Sequence, residues 1–154
     1  HHGVIDMASL TAAGSALAIS AGVPATQDAA GFAALTFTEI GGIEKIGTLG
    51  ATFAKVEFKP LKGPTEKHKG SPDYGSLQPS LAVNEADAGQ ILMNTAAAHQ
   101  TALYAFKVTL PDNSIRYFQG KVFGMPENID GADTIIMANP TVEINTKPIK
   151  VPAS

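Results

Sequence analysis

The residues able to do chemistry in this chain are few and scattered. His68 sits in a lysine-rich stretch, and His99 falls near the end of an expected helix. Neither belongs to a local spacing that would bring a second imidazole or a carboxylate onto one metal ion. A histidine near a helix C-terminus is accounted for by the helix dipole and by packing. The acidic pairs Glu85/Asp87 and Asp130/Asp133 could act as acid and base, or hold a cation. Capping and turn roles explain them more simply, and Asp130-Gly131-Ala132-Asp133 is too short for a helix–loop–helix calcium loop. Gly41-Gly42 and Gly47 lack the spacing of a phosphate cradle, and no Gly-Lys-Ser/Thr follows them. With 0 cysteines, thiolate metal sites, disulfides and a cysteine nucleophile are excluded. No nucleophile–base pair emerges, and no catalytic residue, cofactor or metal is expected.

Composition points toward contact with other protein. The chain has 154 residues, suited to one domain, and its 44% hydrophobic content is that of a folded one. Charged residues make up only 16%, against about a quarter in an ordinary soluble domain. Residues 1–6, His-His-Gly-Val-Ile-Asp, read as the remnant of an expression tag, with the natural start at Met7. Without Asp6 there are 13 acidic against 11 basic residues, a formal charge of −2. Arg116 is the one arginine, so sustained phosphate binding is disfavoured. No apolar run reaches the roughly 18 residues of a membrane span, so no membrane anchor is expected.

The elements that would carry any surface are mostly strands. Residues 7–30 are small and weakly patterned, with one apolar run from Ala16 to Ile19, and read as an arm resting on something else. Residues 31–62 read as strands, with Gly41-Gly42 at a bend. In Thr52–Lys59, Ala54, Val56 and Phe58 alternate with Lys55, Glu57 and Lys59, which predicts one buried and one polar face. Residues 60–75 hold three prolines and three glycines and read as a projecting hairpin or loop. A helix is expected over 85–99, capped by Asn84, with Ala88, Ile91, Leu92, Thr95, Ala96 and His99 on one face. There Gly89 should cost about 1 kcal/mol relative to alanine. Residues 104–110 and 115–123 read as a hairpin turned by Pro111-Asp112-Asn113, with Tyr104, Phe106, Val108 and Leu110 on one face. Strands follow at Thr134–Met137 and Thr141–Ile144, then an extended tail over 147–152. The expected architecture is mostly β (α+β): a barrel-like β-sandwich with one packed α-helix.

Over 104–145 the sequence resembles the tail tube proteins of long-tailed phages, the lambda-type family in particular. The residues that carry this are Tyr104 to Ser114, then Tyr117-Phe118-Gln119-Gly120-Lys121-Val122, and last Thr141-Val142-Glu143-Ile144. The helix before them, the segment Asp73-Tyr74-Gly75-Ser76-Leu77 and the opening Ala8–Gly14 also look like tube-protein pieces. The resemblance implies a single tail tube domain over 7–154, whose copies join sheets in hexameric rings that stack into a hollow conduit. It implies as partners further copies of the chain, a tape-measure protein, tail terminator and tail-tip proteins, and double-stranded DNA in transit. It implies a place in the virion tail after assembly in the host cytoplasm. Lys62, Lys67, His68, Lys69, Asp73 and Tyr74 are then candidate inter-ring contacts, together with the 8–30 arm. The rival readings are the tube protein of a secretion or contractile injection system, and a monomeric β-sandwich binding or decoration module.

Overall fold

The hairpin of β8 (Tyr104–Thr109) and β9 (Ile115–Val122) is the centre of the molecule. The computed structural model describes residues 12–153; the expected tag remnant and the proposed start at Met7 lie outside them. Alternation along β8 places Tyr104, Phe106 and Val108 on one face, all buried. Phe106 pairs across the ladder with Phe118, their rings stacked at 5.3 Å. Such a pair adds about 0.5–1.5 kcal/mol to the burial of its area. Pro111 and Asp112 sit at the centre of the turn, Asn113 takes φ 71°, and its N–H donates to the Leu110 carbonyl. This is a three-residue hairpin loop with its last residue in the left-handed region, where asparagine is tolerated.

The Ser114 hydroxyl and amide both donate to Asp112 Oδ1, at 2.6 and 2.9 Å. The hydroxyl bond first, and the amide bond second, hold the Asp112 carboxyl below its usual value. A carboxyl lowered on folding contributes stability that is complete above its unfolded pKa and is lost as pH falls through the lowered folded value. In Ser114→Ala the Asp112 pKa should therefore rise toward the ordinary carboxylate value in an NMR titration. An unchanged titration would refute the assignment.

Around the hairpin a seven-stranded antiparallel sheet is assembled from distant parts of the chain. Its path runs β2 (Thr38–Glu39), β1 (Ala16–Ser20), β8, β9, β12 (Val142–Ile144) and β6 (Ser76–Leu77). The seventh strand, β13 (Ile149–Val151), pairs with the first half of β9 while β12 pairs with the second. Between them the Gln119 N–H donates to Thr146 Oγ1, so the ladder stays satisfied where the chain turns. The expected extended tail is thus an edge strand, a place that tolerates Pro148 and Pro152. A second sheet runs β10 (Glu127–Asn128), β11 (Met137–Ala138), β7 (Ser80–Ala82) and β3 (Ile43–Lys45). Neither sheet closes on itself; the arrangement is a sandwich, mostly β as expected.

Two expectations about the first third of the chain are corrected. The stretch 7–30 is not simply an arm, because Ala16–Ser20 is an internal strand with Leu17 and Ile19 fully buried between β2 and β8. Its short apolar run carries the period-two pattern that a buried strand needs. Residues 29–33, expected at the edge of a strand region, form a short helix, α1 (Ala29–Ala33), so the described residues hold two helices where one was expected. Asp28 caps it by accepting from the Gly31 N–H, and Phe32 stacks on Tyr117 at 5.2 Å. This small cluster covers one face of the main sheet.

The second helix, α2 (Ala88–Ala98), covers the other face and differs from expectation in start and in orientation. Asp87, not Asn84, is the cap. Its Oδ2 accepts from the Gln90 amide and from the Gly41 amide, both at 3.0 Å. Asn84 instead accepts from the Ala86 N–H in the turn before the helix. The buried face is Gly89, Gln90, Met93 and Ala96, so Ile91 is half exposed and Thr95 faces out. Two polar or small residues set this rotation. Gly89 lies directly on the backbone of Glu39 and Ile40. The Gln90 amide donates to the carbonyls of Gly41 and Ala82, both at 2.9 Å, and accepts from the Asn84 N–H at 2.8 Å. Satisfying three buried backbone groups outweighs the gain from burying one isoleucine. At the other end of α2, His99 is the C-cap and meets Tyr104 edge-on at 6.2 Å.

Candidate functional site

Strand β4 (Thr52–Phe58) breaks the usual link between apolar alternation and burial. It pairs with β5 (Glu66–Asp73) in a two-stranded sheet of its own, and all seven of its residues are exposed. The sequence does alternate, and the two faces are as read, but neither is buried within the chain. Phe53, Val56 and Phe58 remain 50%, 51% and 55% exposed. An isolated two-stranded ribbon with an apolar face is marginal in water, and none of the described residues buries this one.

Gly70 and Pro72, expected to interrupt any ladder, lie within β5. The ribbon accommodates them because both strands have a free edge and because β5 carries an extra residue where the register shifts between Phe53 and Lys55. At Gly70 an added Cβ would lie 3.2 Å from Val56 Cγ2. The loop expected over 60–75 is thereby reduced to the tip, residues 59–65, and the projecting hairpin is the form it takes.

The residues opposite one another define two faces. On one, Val56 faces His68 and Phe58 faces Glu66, with His68 Nε2 3.4 Å from the Glu66 carboxylate. On the other, Lys55 faces Lys69 and Glu57 faces Lys67. There Lys55 and Glu57 are 3.2 Å apart, and the Lys69 ammonium lies 5.0 Å from the centre of the Phe53 ring. Exposed pairs of this kind contribute little to stability. They do place charge beside each apolar side chain.

Of the six candidate contact residues, Lys67, His68 and Lys69 stand along β5 and Lys62 lies in the tip. Asp73 closes β5, its carboxylate accepting from the Gly75 N–H at 2.9 Å. Tyr74 is half-buried at the base of the hairpin and packs against the main core. Sequence reasoning missed Phe53, Val56 and Phe58 as surface residues, because alternation reveals a face without revealing what covers it. Among the described residues no three His, Cys, Asp or Glu side chains converge as metal ligands.

The fold has close counterparts among solved structures. No protein-family model and no curated protein matches the chain. A chain in the cryo-EM structure of the six-fold symmetrised baseplate of the anti-feeding prophage superposes with TM-score 0.68 at 8% identity, over 91% of this chain and 93% of that one. A chain in the cryo-EM structure of an extracellular contractile injection system, the PVC sheath/tube terminator in its extended state, superposes with TM-score 0.69 at 9% identity, over 94% of this chain and 97% of that one. The fold is therefore shared, over more than nine-tenths of each chain, with a chain in each of these two structures.

Proposed function

We propose that this protein is a structural subunit of a tail tube, in a phage or a phage-derived contractile injection system, and that it performs no catalysis. The observation that carries this reading is the β4–β5 hairpin, a projecting ribbon with an uncovered apolar face. In this reading the hairpin and the open edges of the main sheet, β2 and β6, are covered by neighbouring copies. Rotational repetition of one such contact closes a ring, and a different, axial contact stacks the rings. Six copies per ring accord with the six-fold symmetry of the baseplate that shares the fold. Lys62, Lys67, His68, Lys69 and Asp73 belong to the inter-subunit surface. Tape-measure, terminator and tail-tip proteins would be the other partners, with DNA passing through the lumen when the particle is a virion.

A second reading is favoured by the same two structures: a baseplate or terminator component that forms one ring and stops. Negative-stain electron microscopy of the concentrated protein separates the two. Hollow filaments with six-fold end views are expected for the tube. Single rings that never stack would assign the chain to an end of the particle. A persistent monomer, also in the presence of a tail-tip complex, would favour a binding or decoration module.

A further inference from the structure

Two further surface regions of opposite charge lie outside the β4–β5 ribbon, one of them beginning where the chain enters β4. The first is an open groove of about 900 Å³ between the segment running on from β3 and the turn end of the β8–β9 hairpin. Its floor is apolar, with Ile46, Leu49 and Leu110 half-buried. Its wall carries four cations, Lys45, Arg116, Lys147 and Lys150, against one anion, Glu44. None of the four is in an ion pair among the described residues; Arg116 only donates weakly to the Ile115 carbonyl at 3.4 Å. Four like charges around an apolar floor disfavour a purely apolar occupant and favour an acidic one.

The second region is the loop joining β10 to β11. Residues 127–136 are exposed throughout. They carry Glu127, Asp130 and Asp133 with no basic residue among them. They also present Ile129 and Ile135, which are 70% and 73% exposed. The chemistry is that of the groove inverted: carboxylates interleaved with large apolar side chains, Ile136 among them. No cation near the loop neutralises it through an ion pair among the described residues.

The position of the two regions decides how they can meet. In the second sheet the order is β10-β11-β7-β3, so the acidic loop is at one edge and the groove at the other. Three strand spacings, about 14 Å, separate the edges. The strands that carry the loop and the groove of one chain are thus not neighbours in the sheet. We infer that the acidic, isoleucine-bearing loop 129–136 of one copy docks into the basic groove of the next copy, a head-to-tail contact that uses different surfaces on the two partners. Such a contact repeats from copy to copy and closes or propagates according to its rotation. It rests on the reading that the chain packs against copies of itself, and it adds a specificity-giving contact to the one made by the hairpin.

The test exploits the absence of cysteine from the chain. Asp133→Cys is mixed with Lys147→Cys under mild oxidation, and Thr95→Cys, on the outer face of α2, replaces Asp133→Cys in the control. The expected result is at least about fivefold more disulfide-linked heterodimer from the first pair than from the control. Asp130→Lys/Asp133→Lys and Lys147→Glu/Lys150→Glu, tested by sedimentation and microscopy, should each weaken association, about tenfold for every 1.4 kcal/mol of lost attraction. Uniting the two charge reversals in one chain should restore it. Equal cross-linking in both mixtures would overturn the docking, as would assembly indifferent to the charge reversals or a groove that pairs only with an acidic segment of another tail component. Tubes without preferential cross-linking would leave the tube reading standing and this contact refuted; cross-linking without tubes would do the reverse.

Discussion

Val56→Asp/Phe58→Asp should leave the subunit folded and abolish its assembly. Both side chains are already half exposed, so the folded monomer loses little by the change, within about 0.5 kcal/mol per surface site. In the assembled state the same positions would be covered. Burying the exposed half of each side chain is worth about 1 kcal/mol, and an unpaired carboxylate carried into that interface costs more. Together these raise the subunit concentration needed for assembly by on the order of 100-fold or more. Thermal melting of the monomer and microscopy across a concentration series measure the two effects separately. Tubes that form at the wild-type concentration would remove the hairpin from the interface. A melting temperature that collapses would show instead that the apolar face is held within the subunit.

Gly89→Ala should destabilise the protein, against the trend that helix propensity predicts. On propensity alone, alanine in the first turns of α2 gains about 1 kcal/mol. The structure reverses the sign, because a Cβ at residue 89 would overlap the carbonyl oxygen of Glu39 and lie 2.6 Å from Ile40 Cα. These are backbone atoms of β2 and of the residue after it, which cannot turn aside as a side chain could. Overpacking of this kind costs about 1–3 kcal/mol, and here it also pulls at Gln90 and Asp87, which bind the same turn. A net loss of about 2 kcal/mol corresponds to a fall in Tm of roughly 4–8 °C for a domain of this size. Thr95→Ala, on the outer face of the same helix, should by contrast hold or slightly raise Tm. If Gly89→Ala also raises it, the helix does not sit on the strand as described.

What was legible in the sequence follows from how local the cause was. The β8–β9 hairpin was read from alternation and from Pro111-Asp112-Asn113, because ladder pattern and turn chemistry lie within twenty residues of each other. The fold class followed from the same strands. The start of α2 was misplaced, since Asn84 and Asp87 are both good caps and the choice between them is made by the Gly41 amide, 46 positions away. The helix face was misread for the same reason: Gln90 is buried to satisfy carbonyls on two other elements. Leu17 and Ile19 looked too short a pattern to matter until β8 and β2 were placed on either side of them. The hairpin was the opposite case. Its alternation was real, but no surface among the described residues answers it, and periodicity carries no information about what supplies the cover.

The order of strands in the main sheet has a consequence for how the subunit is made. β1, near the beginning, lies against β8, whose residues come about ninety positions later, and β9 acquires its other neighbour only when Val142–Ile144 has been added. β2, β1, β8 and β9 can therefore pair only once Val122 has been made, and the sheet is completed by Val142–Ile144 and Ile149–Val151. Folding of this sheet passes through an interval in which long loops are still to be closed, which is slow compared with helical domains of equal length. During that interval Leu17, Ile19 and Phe106 are as exposed as Val56 and Phe58. A partly paired sheet thus has no finished edge against which another chain could build.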